Sequence, residues 1–286
     1  MSITVNTNMQ ALRIQSNLNS ATEKMNTAME RMASGSKINS AKDDAAGLAV
    51  STTLGKTISS SKVASDNVKM GQDLLSTAEG TLDVIMSNFI RVRDLTEQAA
   101  NGTYSAADKT AIAAEVTARL SQIGTLASSA TFNGTSLFTG AGTAVSIQSG
   151  TTATSQTALS GSIFAAVSTA AFVNGTPTVV NDLATAITGG TSAQIATFLT
   201  TIDTAVSGIT TRQTAIGAAQ NQLQAVADGL EVEQTNLSSA LSTIRDADVA
   251  QESASYVQSQ ILQQASASLL VQANSAPQIA LTLIKG

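Results

Sequence analysis

Eight apolar residues keep an unbroken spacing of seven along the second half of the chain: Ile195, Ile202, Ile209, Ile216, Leu223, Leu230, Leu237 and Ile244. A residue at every seventh position returns to one stripe of a helix after two turns, and such a stripe needs a partner helix to cover it. The repeat therefore predicts a long helix over 193–246, with the left-handed supercoil that a sustained seven-residue period imposes. The companion positions are Phe198, Ala205, Arg212, Ala219, Val226, Glu233 and Ala240, so Arg212 and Glu233 interrupt the seam. Gln251 falls where the next apolar residue belongs, and apolar spacing resumes in another phase at Val257, Ile261 and Ala265, with Leu262 and Leu269 beside them. That change of phase predicts a boundary between two helical parts.

Two more seams lie in the first half. Ala11, Leu18, Met25 and Met32 are spaced by seven, and Ile14, Ala21 and Ala28 fill the positions three later. Leu54, Ser61, Val68, Leu75, Leu82 and Phe89 form the other, with Ala64, Gly71, Ala78, Ile85, Val92 and Ala99 between them. A helix from Ala45 to Ala100 spans roughly 80 Å at about 1.5 Å per residue and needs partners along that length. Small seam residues bury little area at about 25 cal/mol per Å², whereas ordering a backbone costs about 1–2 kcal/mol per residue. The terminal segments 1–40 and 247–286 therefore either fold only when neighbouring copies add surface or pair within one chain. Periodicity leaves both open.

Between the helical flanks, 139–192 is crowded with Gly, Ser and Thr and reads as an insert with a few short strands, including Ala144–Gln148 and Thr178–Val180. Asn101-Gly102-Thr103 should end the second helix with a left-handed glycine. Ser105 should cap a helix over 106–129. Phe132-Asn133-Gly134-Thr135 should turn a hairpin, because Asn-Gly accommodates positive φ twice. The fold class is mainly α, a long antiparallel coiled coil or bundle of N- and C-terminal parts with a β-hairpin and a Ser/Thr/Gly-rich, β-containing insert.

Composition narrows the chemistry. The chain has no Cys, no His and no Trp. Disulfides, thiolate ligands and nucleophiles, His-based triads and most zinc catalysis are excluded. A net charge of −5 disfavours nucleic acid as a partner. Apolar runs fall short of the roughly 20 residues of a membrane span, and Met1–Asn8 lacks the basic and apolar parts of a Sec-type leader. The paired carboxylates Asp43-Asp44 and Asp246 with Asp248 are expected to cap helices or make ion pairs. No cofactor or metal is expected.

Four ordered motifs then resemble the bacterial flagellins. The first runs from Glu30 to Ala49 and contains Ser34-Gly35-Ser36-Lys37-Ile38-Asn39-Ser40-Ala41-Lys42-Asp43-Asp44-Ala45-Ala46-Gly47. The second is Arg91-Val92-Arg93-Asp94-Leu95 with Gln98-Ala99-Ala100-Asn101-Gly102-Thr103. The third is Phe132-Asn133-Gly134. The fourth is Ile244-Arg245-Asp246-Ala247-Asp248, then Ile261-Leu262-Gln263-Gln264-Ala265, then Gln272-Ala273-Asn274 and Pro277-Gln278. Ser36-Lys37 and Arg245 depart from the family habit of an apolar–basic pair and an acidic residue.

The resemblance implies a non-enzymatic structural subunit, secreted through a type III channel, that polymerises into the flagellar filament for swimming. It implies an inner coiled-coil part, 1–40 with 247–286, disordered in the monomer. It also implies an outer helical bundle, 41–138 with 193–246, and a variable surface insert, 139–192. Ala11, Ile14, Leu18, Ala21, Met25 and Met32, with Ile261, Leu262, Leu269 and Leu270, are the implied polymerisation seams. The implied partners are further copies of the chain, a cap protein, an export chaperone, a hook–filament junction protein and Toll-like receptor 5, with no nucleic acid and no membrane. The receptor positions map onto Arg91, Leu95 and Glu115. A junction protein and an adhesin are the alternatives. A metalloprotease insert would need His, which the chain lacks.

Overall fold

The computed structural model describes residues 7–138, 142–167 and 178–285, with side chains left aside at 178–183 and 276–285. Seven helices and two strand pairs follow in chain order among these residues. They are α1 (Met9–Ser34), α2 (Ala45–Ala100), α3 (Ala106–Ser129), β1 (Thr131–Phe132), β2 (Thr135–Ser136), β3 (Val145–Gln148), β4 (Gln156–Leu159), α4 (Gly161–Phe164), α5 (Thr178–Gly189), α6 (Ser192–Arg245) and α7 (Val249–Lys285). No described helix is long and apolar enough to cross a membrane. The chain divides into two compact units, one of residues 1–58 with 235–286 and one of 59–234.

In the larger unit the seven-residue seams of α2 and α6 do what their spacing requires. Val68, Leu75, Leu82, Phe89, Ile202, Ile216 and Leu223 are fully buried in one core. Polar side chains bracket this core in an antiparallel ladder. Gln72 donates to Gln224 at 3.1 Å, Gln220 to Glu79 at 3.0 Å, Gln213 to Asp83 at 2.6 Å and Arg93 to Asp203 at 2.7 Å. The third layer is α3, which buries Ile112, Val116, Leu120 and Ile123. Its first turn is a capping box: Ser105 Oγ accepts from the Asp108 amide, and the Ser105 amide donates back to the Asp108 carboxylate. The Ser105 hydroxyl and amide hold that carboxyl below its usual range.

The β1–β2 hairpin pairs Phe132 with Thr135. Asn133 and Gly134 both take positive φ, 48° and 77°, as a two-residue hairpin turn demands. The break after α2 differs from expectation. Gly102 is not left-handed; the Asn101 side chain instead accepts from the Thr103 amide and hydroxyl, so an Asx turn makes the corner. In the insert, β3 and β4 form an antiparallel pair, but Thr178–Val180 opens helix α5 rather than a strand. Val179, Val180, Leu183, Ala186 and Ile187 have helical spacing, and Ala186 and Ile187 are buried, so the apolar face outweighs the strand preference of the two valines.

In the smaller unit α1 packs against α7. The connectors at their ends are tied together: the Lys37 amide donates to Arg245 O at 2.6 Å and the Ala247 amide to Gly35 O at 3.0 Å. Gly35 is left-handed (φ 67°) and ends α1. Ile38 supplies the buried anchor of this connector. The clustered carboxylates serve the backbone. Asp43 accepts from the amides of Asn39 and Ser40 and from the Ser40 hydroxyl, which hold its pKa down. Asp44 accepts from Gly47, and Asp248 from Ala250 and Gln251, each opening a helix.

One position of the α2 seam in the larger unit is polar. Ser61 is fully buried, and its hydroxyl has no hydrogen-bond partner among the described residues. A buried hydroxyl without a partner carries its desolvation cost uncompensated. Ser61→Ala is expected to raise stability by about 1 kcal/mol, read as a higher urea midpoint. A midpoint lowered by that amount would show that the hydroxyl is satisfied.

Candidate functional site

The paired terminal helices carry the largest set of exposed apolar residues in the smaller unit. The residues α1 turns toward α7 have spacings of three and four: Ala11, Ile14, Leu18, Ala21, Met25, Ala28 and Met32 are all half-buried or buried. The answering face of α7 has the same rhythm but a different chemistry. Glu252, Tyr256, Ser259, Gln263, Ser266, Leu270 and Ala273 are its shielded residues. Small and polar side chains dominate, and the pair is held in register by polar contacts. Asn8 Nδ2 donates to Ala273 O at 2.8 Å, Gln263 Nε2 to Thr22 Oγ1 at 3.0 Å and Ser253 Oγ to Met32 Sδ at 3.2 Å. Arg31 and Glu252 form an ion pair at 3.2 Å. These bonds run antiparallel along the whole pair, so they fix register more than they add stability.

Most of the large apolar side chains described on α7 point the other way. Val257, Ile261, Leu262, Leu269 and Val271 are exposed, Ile261 at 60% and Val271 at 73%. A shallow depression on this face is lined by Ser253, Ala254, Val257, Gln258, Ile261 and Leu262. Met9, Leu12 and Met29 are exposed on α1. The two halves of the expected assembly seams thus fall into different places. Ala11, Ile14, Leu18, Ala21, Met25 and Met32 face the helix partner within the chain, as does Leu270 on α7, whereas Ile261, Leu262 and Leu269 are open to solvent. The apolar phase in α7 was visible in the sequence. Its polar counter-stripe, Glu252 to Ala273, has the same spacing but no apolar signal, and it is the one that meets α1.

A second cluster lies on α2 and α3. Arg91 Nε lies 3.2 Å from Glu115 Oε1, and Arg119 approaches the same carboxylate at 3.8 Å while donating to Asn88 Oδ1 at 3.3 Å. Arg91 and Glu115 remain well exposed. Leu95, one turn along α2, is 2% exposed and belongs to the core. The structure therefore presents two of the three expected recognition residues and buries the third beneath them.

Both flanks match family profiles. The profile described as the bacterial flagellin N-terminal helical region matches residues 5–143, and that of the C-terminal helical region matches 199–284. The chain belongs to the bacterial flagellin family. It is 45% identical over 141 residues to polar flagellin F of Vibrio parahaemolyticus, covering 49% of this chain and 37% of that protein. It is 42% identical over 148 residues to the B-type flagellin of Pseudomonas aeruginosa, covering 52% of this chain and 30% of that one. The matches thus span well under half the length of these relatives. A solved chain described as a flagellar hook-associated protein of Vibrio parahaemolyticus shares the fold, with a TM-score of 0.61 over 71% of this chain and all of that chain, at 16% identity.

The burial of Leu95 sets it apart in stability from the exposed pair Arg91 and Glu115. Leu95→Ala should cost about 2–5 kcal/mol by leaving a cavity. Arg91→Ala should cost under about 1 kcal/mol, since exposed ion pairs contribute little. Urea unfolding of the two variants checks this, and equal losses would contradict the assignment of Leu95 to the core.

Proposed function

We propose that the chain is a non-enzymatic structural subunit that polymerises into the flagellar filament, exposed at the bacterial surface after export. The observation that carries this reading is the outward apolar face of α7. Val257, Ile261, Leu262 and Leu269 stand exposed on a helix whose inner face is mostly polar and small. A helix built this way gains its apolar burial from other molecules, and further copies of the same chain are the partners that family membership favours. The α1–α7 pair, held by few buried apolar groups, is the part that would loosen in the separate subunit. In this reading the inner part comprises 1–40 with 247–286, the outer bundle 41–138 with 193–246, and the surface insert 139–192. A cap protein, an export chaperone and a hook–filament junction protein are further proposed partners.

Negative-stain microscopy of the concentrated chain should show long uniform tubes, and a chain lacking 247–286 should form none. Limited digestion of the unassembled chain should trim roughly the first and last 40 residues before the centre. Tubes formed by the truncated chain, or termini as resistant before assembly as after it, would overturn this reading.

We further propose that Toll-like receptor 5 recognises the exposed pair Arg91 and Glu115, with Leu95 shaping the helix face from below. Supporting this are the exposure of both charged side chains and their 3.2 Å contact across α2 and α3. Arg91→Ala and Glu115→Ala should each lower signalling about tenfold or more in a receptor reporter assay, the loss expected when about 1.4 kcal/mol of binding is removed. Unchanged signalling from both would rule out the site.

A further inference from the structure

Arg212 occupies a companion position of the α6 seam, where the repeat calls for an apolar residue. It forms no ion pair among the described residues. Its Nη1 donates to Ala165 O and its Nη2 to Ala166 O, both at 2.8 Å. Ala165 is the C-cap of α4 and Ala166 the residue after it. The cationic fork therefore ties the chain leaving one helix to the side of another. Burial works against the guanidinium charge, so its two carbonyl bonds compensate for desolvation. From Leu120 to Thr211 the chain contains neither Lys nor Arg, so no residue of that stretch can replace it.

Three further features fit the same segment to the bundle. Gly71 stands at a seam position of α2, where a Cβ would lie 2.7 Å from Ile147 Cδ1 and 3.2 Å from Leu223 Cδ1. The missing side chain is the seat of the β3–β4 hairpin. Asn67 Nδ2 donates to Gln148 O at 3.2 Å. Leu159, Ile163, Phe164 and Val167 are buried in the same core as the α2 and α6 seams. Two of the departures from the large apolar repeat, Gly71 and Arg212, are thus points that receive the insert.

We propose that Val145–Val167 is a strap closed over the helical bundle, seated at Gly71 and latched by Arg212. The strap moves with the helices as one body, and its turn, Ser149–Ser155, is held in a fixed place. Arg212→Leu restores the apolar repeat of α6 but removes both strap bonds. Gly71→Ala raises the helix propensity of α2 but fills the seat.

Amide hydrogen exchange of the full chain, below any concentration at which it assembles, tests the latch. In Arg212→Leu, exchange across 145–167 should speed about tenfold or more while 78–96 of α2 stays as slow as in the parent. Gly71→Ala should speed exchange across 145–159 in the same selective way. Arg212→Lys, a single point donor in place of a fork, should fall between parent and Arg212→Leu. Parent-like protection of the strap in Arg212→Leu would overturn the proposal. If Arg212→Leu loses protection throughout the chain, Gly71→Ala decides: selective loss in the strap upholds it, and parent-like strap protection overturns it. The readout needs no filament, so its failure is separate from failure of the assembly reading.

Discussion

The antiparallel burial of the α2 seam against the α6 seam is the interaction on which the larger unit depends. Val68, Leu75, Leu82 and Phe89 on one helix and Ile202, Ile216 and Leu223 on the other are fully shielded. Neither helix could hold its length in water without such a partner. Once the two are paired, the other elements have a surface to pack on. α3 adds Val116, Leu120 and Ile123 to the same core, and the insert adds Leu159, Ile163 and Phe164. The polar ladder from Gln72 to Arg93 flanks the apolar stripe and penalises a slipped register, since sliding by one heptad would strand its donors and acceptors.

Much of this was legible because a period of seven is a geometric statement. Ile195 to Leu230 read as one stripe and are one stripe. The helix over 106–129, its Ser105 cap and the Asn133-Gly134 turn were legible for the same reason: each rests on backbone chemistry that a few local residues determine. The readings that differed were those in which two local signals competed. Thr178–Val180 has the β-branched residues of a strand, yet the spacing out to Ile187 favours a helix. Gly102 could have been left-handed, but the Asn101 side chain closes the corner without it.

The terminal helices show a deeper limit. Apolar periodicity identifies a face that wants cover and is silent about whether the cover comes from the same chain. Ala11 to Met32 find theirs on α7. Ile261, Leu262 and Leu269 have the same signature and find none among the described residues. The partner stripe on α7 was invisible to an apolar search because Ser259, Gln263 and Ser266 fill it. Its rhythm of three and four could still have revealed it, had small and polar residues been counted as seam-forming. Leu95 is the related case for the α2–α3 cluster, since a motif places it beside Arg91 in sequence while the helix turns it inward.

A polar inner face and an apolar outer face are two halves of one constraint. If α7 turned Ile261, Leu262 and Leu269 toward α1, the pair would be self-sufficient and its outer surface inert. Turned outward, the same residues leave the pair weakly closed and offer their burial to something else. The bonds between Asn8 and Ala273, Thr22 and Gln263, and Arg31 and Glu252 then have a defined role. They supply little net stability once desolvation is counted, but each fits only one alignment of the helices. A weak pair with a fixed register presents its outer apolar stripe at a fixed height along the molecule. Identical copies can match such a stripe repeatedly, whereas a strongly closed pair would have nothing left to match and a loosely aligned one would match differently each time.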